Sequence, residues 1–180
     1  EQIVEASEIA LNCGWNESDS WVASTPQAME NMKLFRHAVP EAVNLLVDQR
    51  RKENPGITKL GTDMAVPNHM LKEIMKMYRS DLVAAGFEST MFGHIGNNHI
   101  HVNILPGTME DYHKGKEIYL DWAKKVLEAG GTVSAEHGIG KLKVSFLELM
   151  YGKEGIREMA KVRKAFDPQS ILDTGNLFDL

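Results

Sequence analysis

Hydrophobic residues recur at helical spacing along most of the chain and alternate with polar residues in one short stretch. The alternation runs from His99 to Ile104, where a strand places His99, His101 and Asn103 on one face. Few short strands separated by single helices predict an α+β fold with an antiparallel or mixed sheet and helices packed on one face. The predicted helices cover residues 1–12, 26–53, 69–85, 109–129, 144–151 and 155–166, and the predicted strands cover residues 58–66, 87–92, 99–104 and 132–134. Pro40 is expected to kink or restart the second helix, because proline has no N–H to donate.

The chemically competent side chains concentrate in two short segments. Three of the seven histidines, His94, His99 and His101, fall within eight residues. The glycines and asparagines around His94 predict a turn that folds it back beside the strand. Glu136 and His137 form a second group that leads into a glycine-rich turn. Two imidazoles with one carboxylate are a recognised divalent-metal set, and imidazole is also the usual general base near neutral pH.

Composition narrows the class of protein. A chain of 180 residues with 43% hydrophobic residues suits one domain over residues 1–180 with a substantial core. The net charge of −5 argues against a nucleic-acid surface. Cys13 is the sole cysteine, which excludes an internal disulfide and fits a reducing, cytoplasmic location. No apolar run is long enough for a transmembrane helix, and the sequence contains neither G-x-G-x-x-G nor G-x-x-x-x-G-K-[ST].

Several stretches resemble, in the right order, the C-terminal domain of FAD-linked oxidases, the flavoprotein family of D-lactate, glycolate and D-2-hydroxyglutarate dehydrogenases. The resemblance spans almost the whole chain, and its most specific part is the tandem of histidine motifs. It rests on residues 35–41 (FRHAVPE), 59–67 (KLGTDMAVP), 93–103 (GHIGNNHIHVN), 135–141 (AEHGIGK) and the segment from Asp167-Pro168 to Ile171-Leu172. The resemblance implies a ferredoxin-like α+β fold.

The resemblance also implies roles for individual residues. It implies His94, His101 and Glu136 as ligands of zinc or manganese, and His137 as the general base. Two further side chains, Arg36 and Lys59, are similar to the family's substrate-carboxylate clamp. Asn103 is a candidate for hydrogen bonding to substrate or flavin, and we expect His99 to support the ligands.

The activity that the resemblance implies is oxidation of a small D-2-hydroxy acid to the 2-oxo acid, with hydride transfer to FAD and an electron acceptor yet to be identified. The FAD-binding domain is expected to lie N-terminal to this chain in the same protein, so the isolated chain should be inactive. Two other hypotheses stay open. One is a stand-alone metal-binding or regulatory module, and the other is a metal-dependent hydrolase that needs no flavin.

Overall fold

The computed structural model describes residues 2–16, 18 and 20–178, and within them the chain is helical with one small sheet. The helices are α1 Gln2–Asn12, α2 Pro26–Glu53, α3 Leu71–Ala85, α4 Met109–Glu128 and α5 Val144–Phe166. The strands are β1 Leu60–Gly61, β2 Ser89–His94 and β3 His99–Ile104. The chain divides into two compact units, residues 1–42 and 43–180. In the first, the rings of Trp21 and Phe35 pack edge to face at 5.6 Å.

The sheet belongs to the second unit and has the order β1-β3-β2, with both pairs antiparallel. Helix α3 connects β1 to β2, a tight hairpin joins β2 to β3, and α4 follows β3. An isolated bridge between Ala65 and Thr132 stands where a fourth strand would lie. This order matches a ferredoxin-like arrangement with its last strand reduced to one bridge. The predicted α+β class is confirmed.

The main core forms between one face of β3 and helices α3 and α4. The strand contributes Ile100, Val102 and Ile104, each at most 7% exposed. Trp122 of α4 is fully buried, and its ring packs against that of Tyr78 of α3 at 4.6 Å and 54°; its indole N–H donates to Asp81. The alternation predicted for residues 99–104 therefore directs the apolar side chains into this core. The opposite face of β3 is left for His99, His101 and Asn103.

Strand β1 is much shorter than the predicted strand over residues 58–66. The chain leaves the ladder at Thr62, whose hydroxyl accepts the N–H of Val102 at 2.9 Å in place of a backbone carbonyl. The backbone N–H of Thr62 still donates to the carbonyl of Val102 at 2.9 Å. Because the hydroxyl of Thr62 accepts this hydrogen bond, the backbone carbonyl of Thr62 is free to accept from another donor. A side chain that competes with the ladder in this way is not visible in the hydrophobic pattern.

Other predicted boundaries shift by a few residues. Helix α3 begins at Leu71 after a 3₁₀ turn, and β2 runs from Ser89 to His94 instead of residues 87–92. Helix α2 continues through Pro40, so the predicted restart there is wrong. The two helices predicted over residues 144–151 and 155–166 are both present within α5, and they are separated at Gly152, whose φ of +65° and ψ of 174° are not helical. None of the helices in the described part of the chain is long and apolar enough to cross a membrane.

The β2–β3 hairpin depends on Gly93, which pairs with Ile100. A Cβ at Gly93 would lie 2.4 Å from the carbonyl oxygen of His99, and φ is +154°. We predict that Gly93→Ala lowers the free energy of unfolding by about 1–3 kcal/mol, because backbone on the facing strand must move. Gly96→Ala is the matched control, since nothing lies within 4 Å of its added Cβ. Urea denaturation measures both, and equal stability of the two variants would contradict the prediction.

Candidate metal and catalytic site

The hairpin that joins β2 to β3 brings two histidines face to face. His94 ends β2 and pairs in register with His99 at the start of β3. Between them lies a 3₁₀ turn over Ile95–Asn97, closed by Asn98 in the left-handed conformation at φ +51°. Asparagine tolerates this conformation better than most residues. The turn thus places the ring of His94 5.8 Å from that of His99, as the pattern of glycine and asparagine predicted.

His101 is held in one orientation by the backbone that leaves β1. Its Nδ1 lies 3.0 Å from the carbonyl oxygen of Thr62, which can only accept, so Nδ1 carries the hydrogen. In the neutral ring Nε2 is then an acceptor. This Nε2 lies 2.9 Å from Oε1 of Glu136. Two acceptors at this distance require a proton or a cation between them.

The carboxylate of Glu136 lies among four imidazoles. His94 Nε2 is 3.5 Å from Oε2, and His137 Nε2 is 3.5 Å from Oε1. His99 Nδ1 is 4.0 Å from the same Oε1. Partial desolvation raises the pKa of Glu136, but the hydrogen bond from His101 and the neighbouring imidazoles outweigh it and lower the pKa overall. Glu136 is therefore ionised at neutral pH.

One nitrogen each of His94 and His101 and one oxygen of Glu136 lie within 4.8 Å of one another. These are the three residues predicted as metal ligands, and they come from β2, β3 and the loop after α4. His137 lies beside them, with its ring stacked on that of His101 at 5.0 Å and 11°. The structure thus brings together every predicted ligand and the predicted base. Their chemical roles stay predictions.

Asp63 was not among the predicted site residues, yet its side chain binds the loop that carries Glu136 and His137. Asp63 is fully buried and accepts four hydrogen bonds. The donors are Ser134 Oγ at 2.7 Å, Glu136 N at 3.2 Å, His137 N at 3.1 Å and Lys143 Nζ at 2.8 Å. Burial raises the pKa of Asp63, but the bonds from Lys143 and Ser134 more than offset this and hold it well below its usual range. The sequence feature that could have identified Asp63 is its position as a charged residue within the mostly apolar segment of residues 60–66.

His99 lies between the two carboxylates and is only 4% exposed. Its Nε2 is 3.1 Å from Oδ1 of Asp63, but the N–H direction does not make this a well-formed hydrogen bond within the described residues. Burial, followed by the nearby His101, lowers the pKa of His99 against the opposing attraction of Asp63 and Glu136. His99 is thus a neutral imidazole packed against the site, in keeping with the supporting role expected for it.

The remaining predicted residues differ in their surroundings. Lys59 donates from Nζ to Asn44 at 3.2 Å, and partial burial lowers its pKa. Asn103 is 1% exposed, and its Nδ2 has no hydrogen-bond partner in the described part of the chain. Arg36 is exposed on α2 in the unit of residues 1–42. The substrate-binding roles of these three residues stay predictions.

Comparison with known proteins identifies the family of the chain. The family model for the C-terminal domain of FAD linked oxidases matches residues 3–177. The chain belongs to this family. Relatives include a D-lactate dehydrogenase of Anaerostipes hadrus, 31% identical over 98% of this chain and 36% of its own length. A D-2-hydroxyglutarate dehydrogenase of Stutzerimonas stutzeri is 29% identical over 99% of this chain and 37% of its own.

A glycolate oxidase subunit of Bacillus subtilis is 30% identical over 67% of this chain and 26% of its own length. The family match confirms the resemblance inferred from the histidine motifs, because it includes both of them. It also places this FAD-linked oxidase domain in an enzyme family. The chain spans about a third of the length of the curated relatives that it matches most fully.

The buried charge of Asp63 predicts a specific loss of stability in acid. Its pKa is lower in the folded chain than the value of about 3.9 expected when unfolded, so the folded state binds fewer protons. Its contribution is therefore present above about pH 4 and is lost as the pH falls further. Urea midpoints against pH will show this decline in the wild type and in Asp81→Asn, but a weaker decline in Asp63→Asn. An equally steep decline in Asp63→Asn would contradict the prediction.

Proposed function

We propose that this chain is the substrate-binding and catalytic domain of a flavoprotein that oxidises a D-2-hydroxy acid to the 2-oxo acid, with hydride transfer to FAD. Family membership supports the link to FAD. Three of the relatives are named for D-lactate, glycolate and D-2-hydroxyglutarate, which all carry a hydroxyl group next to a carboxylate. FAD would be held mainly by the part of such a protein that corresponds to the relatives' unmatched length, and it supplies the hydride acceptor.

The donor set around Glu136 fits a divalent metal ion. The observation that carries this proposal is the contact at 2.9 Å between Oε1 of Glu136 and Nε2 of His101, which is an acceptor in the neutral ring because Nδ1 holds the hydrogen. A shared cation removes the repulsion between these two acceptors, and His94 Nε2 faces the second oxygen at 3.5 Å. Two imidazoles with one carboxylate suit zinc, and also manganese with further oxygen ligands. Such an ion would act as a Lewis acid toward the hydroxyl and carboxylate oxygens of the substrate.

His137 is placed to take the proton of the substrate hydroxyl. Its side chain is 60% exposed, in contrast to the buried His101 on which it stacks. The exposed ring is accessible to a substrate, whereas its backbone is fixed by the N–H bond to Asp63. In the proposed reaction the hydroxyl proton would pass to His137, while FAD, when bound, would supply the acceptor for the α-hydrogen and its electron pair, so that the C–O bond of the substrate becomes a carbonyl. The imidazole is uncharged before this step and cationic after it.

Arg36 and Lys59 are each proposed, from the family resemblance, as a side chain that binds the substrate carboxylate. The planar fork of Arg36 suits a bidentate contact with a carboxylate. Lys59 already contacts Asn44, and its lowered pKa reflects a partly desolvated ammonium group. The unpartnered Nδ2 of the buried Asn103 offers a donor to substrate or flavin. These roles extend the family resemblance to particular atoms of this chain.

Metal analysis combined with flavin reduction tests these assignments. We predict that Glu136→Ala loses bound zinc or manganese and activity together, because the site loses its only carboxylate ligand. His137→Ala should keep its metal while flavin reduction in the complete flavoprotein slows by about 10²–10⁴-fold, the range of a lost general base. His113→Ala, which removes an exposed histidine from α4, is the control for both measurements.

Elemental analysis of the dialysed protein and single-turnover stopped-flow kinetics give the two readouts. Loss of metal from His137→Ala, with metal and turnover retained in Glu136→Ala, would reverse the two roles. A wild type that holds no divalent ion above the level of the triple variant His94→Ala, His101→Ala, Glu136→Ala would contradict the metal site itself.

A further inference from the structure

The buried carboxylate of Asp63 lies outside the proposed ligands and base, yet it contacts the backbone of two of them. We propose that Asp63 is a positioning residue, which directs the adjacent side chains of Glu136 and His137 toward the same imidazole, His101. The inference rests on the proposed function, because it assigns a purpose to the geometry of the proposed ligand and base. It concerns the shape of the loop, and it can be tested without turnover.

Asp63 binds two consecutive backbone N–H groups. The N–H of Glu136 donates to Oδ1 at 3.2 Å, and the N–H of His137 donates to Oδ2 at 3.1 Å. In an extended chain, consecutive N–H groups and consecutive side chains point to opposite sides. Two that converge on one carboxylate require a bent backbone, the arrangement that forms anion-binding concavities. The bend explains how neighbouring residues can both lie near His101, at 2.9 Å for Glu136 and stacked at 5.0 Å for His137.

The residues just before the bend are bound to Asp63 as well. Ser134 donates its hydroxyl to Oδ2 at 2.7 Å, and the N–H of Ala135 donates to the backbone carbonyl of Asp63 at 2.8 Å. Four consecutive residues, 134–137, thus depend on one residue. An exposed loop held by so many bonds to a single buried group takes its conformation from that group. Gly138, with φ +71°, then turns the chain away.

Lys143 matches the charge of the buried carboxylate. Its Nζ lies 2.8 Å from Oδ2 of Asp63 and 3.3 Å from Oγ of Ser134. Unlike Asp63, Lys143 makes no bond to the backbone of Glu136 or His137 in the described structure. The two members of this ion pair can therefore be separated by experiment. Both stabilise the fold, but of the two only Asp63 binds the backbone N–H groups of Glu136 and His137.

The connection extends to the other side of the site through the residue before Asp63. Thr62 orients His101 through its carbonyl, at 3.0 Å from Nδ1. The dipeptide Thr62-Asp63 therefore fixes an imidazole on the strand and a carboxylate on the loop at the same time. This arrangement keeps the proposed ligands together before any ion binds. A preorganised ligand set binds more tightly, because less ordering is needed on binding.

Three variants of the whole chain test the proposal: Asp63→Asn, Lys143→Gln and the double variant. Cobalt(II) is the probe, because its visible spectrum reports ligand number and geometry. We expect Asp63→Asn to weaken Co²⁺ affinity by about 10–100-fold, as for other groups that orient metal ligands. Lys143→Gln should lose stability but keep its affinity within about threefold and its spectrum unchanged. The double variant should regain stability over Asp63→Asn, since no lone buried charge remains, without regaining affinity.

Amide hydrogen exchange of Glu136 and His137, measured by NMR without metal, gives a second readout. Both amides should be protected in the wild type and in Lys143→Gln. In Asp63→Asn they should exchange at least about tenfold faster than the change in the exchange rates of core amides accounts for. Wild-type affinity in Asp63→Asn, or affinity that returns with stability in the double variant, would overturn the proposal. So would unprotected amides in the wild type. If the wild type binds no Co²⁺, the metal site is wrong, and the exchange data alone decide whether Asp63 shapes the loop.

Discussion

An ionised carboxylate that is fully buried must be matched by donors, and three of the donors to Asp63 belong to the loop of residues 134–137, which carries the proposed ligand Glu136 and the proposed base His137. Burying an unpaired charge costs several kcal/mol, which no small fold can spare. The four hydrogen bonds that the carboxylate of Asp63 accepts, together with the positive charge of Lys143, meet this requirement. If the loop separated from Asp63, the buried carboxylate would lose most of its donors, and the fold would be destabilised by that free energy. Folding of the core and placement of Glu136 and His137 are therefore one event.

The departure of β1 from the sheet is the second constraint on the site. A regular strand at Thr62 would use its backbone carbonyl in the ladder, and Nδ1 of His101 would then have no partner there. The hydroxyl of Thr62 replaces that carbonyl on Val102, so the ladder is kept while the imidazole is oriented. Helices α3 and α4 cover the opposite face of β3, where Tyr78 and Trp122 form one core with Ile104 of the strand. The polar face is thereby left for histidines from both arms of the hairpin.

The sequence predicted the parts of this site that depend on local pattern. Alternation in residues 99–104 gave the strand and the shared face of His99 and His101, and glycine and asparagine gave the turn that returns His94. The convergence of Glu136 on these residues came only with the family resemblance, because contacts across 35 residues leave no local periodicity. Asp63 and Lys143 were missed for the same reason, since their 80-residue separation makes them look like unrelated charges. The predicted length of β1 was wrong because the hydroxyl of Thr62 replaces a backbone carbonyl as the acceptor for Val102.

The central claim is that His94, His101 and Glu136 hold one divalent ion together. Anomalous scattering from crystals of the chain grown with Co²⁺ or Zn²⁺ tests it most directly, because the signal locates the metal independently of activity. The account predicts one strong peak at about 2.0–2.2 Å from Nε2 of His94, Nε2 of His101 and a carboxylate oxygen of Glu136. A peak bound elsewhere, or none between these three side chains while the His101–Glu136 contact persists, would contradict it.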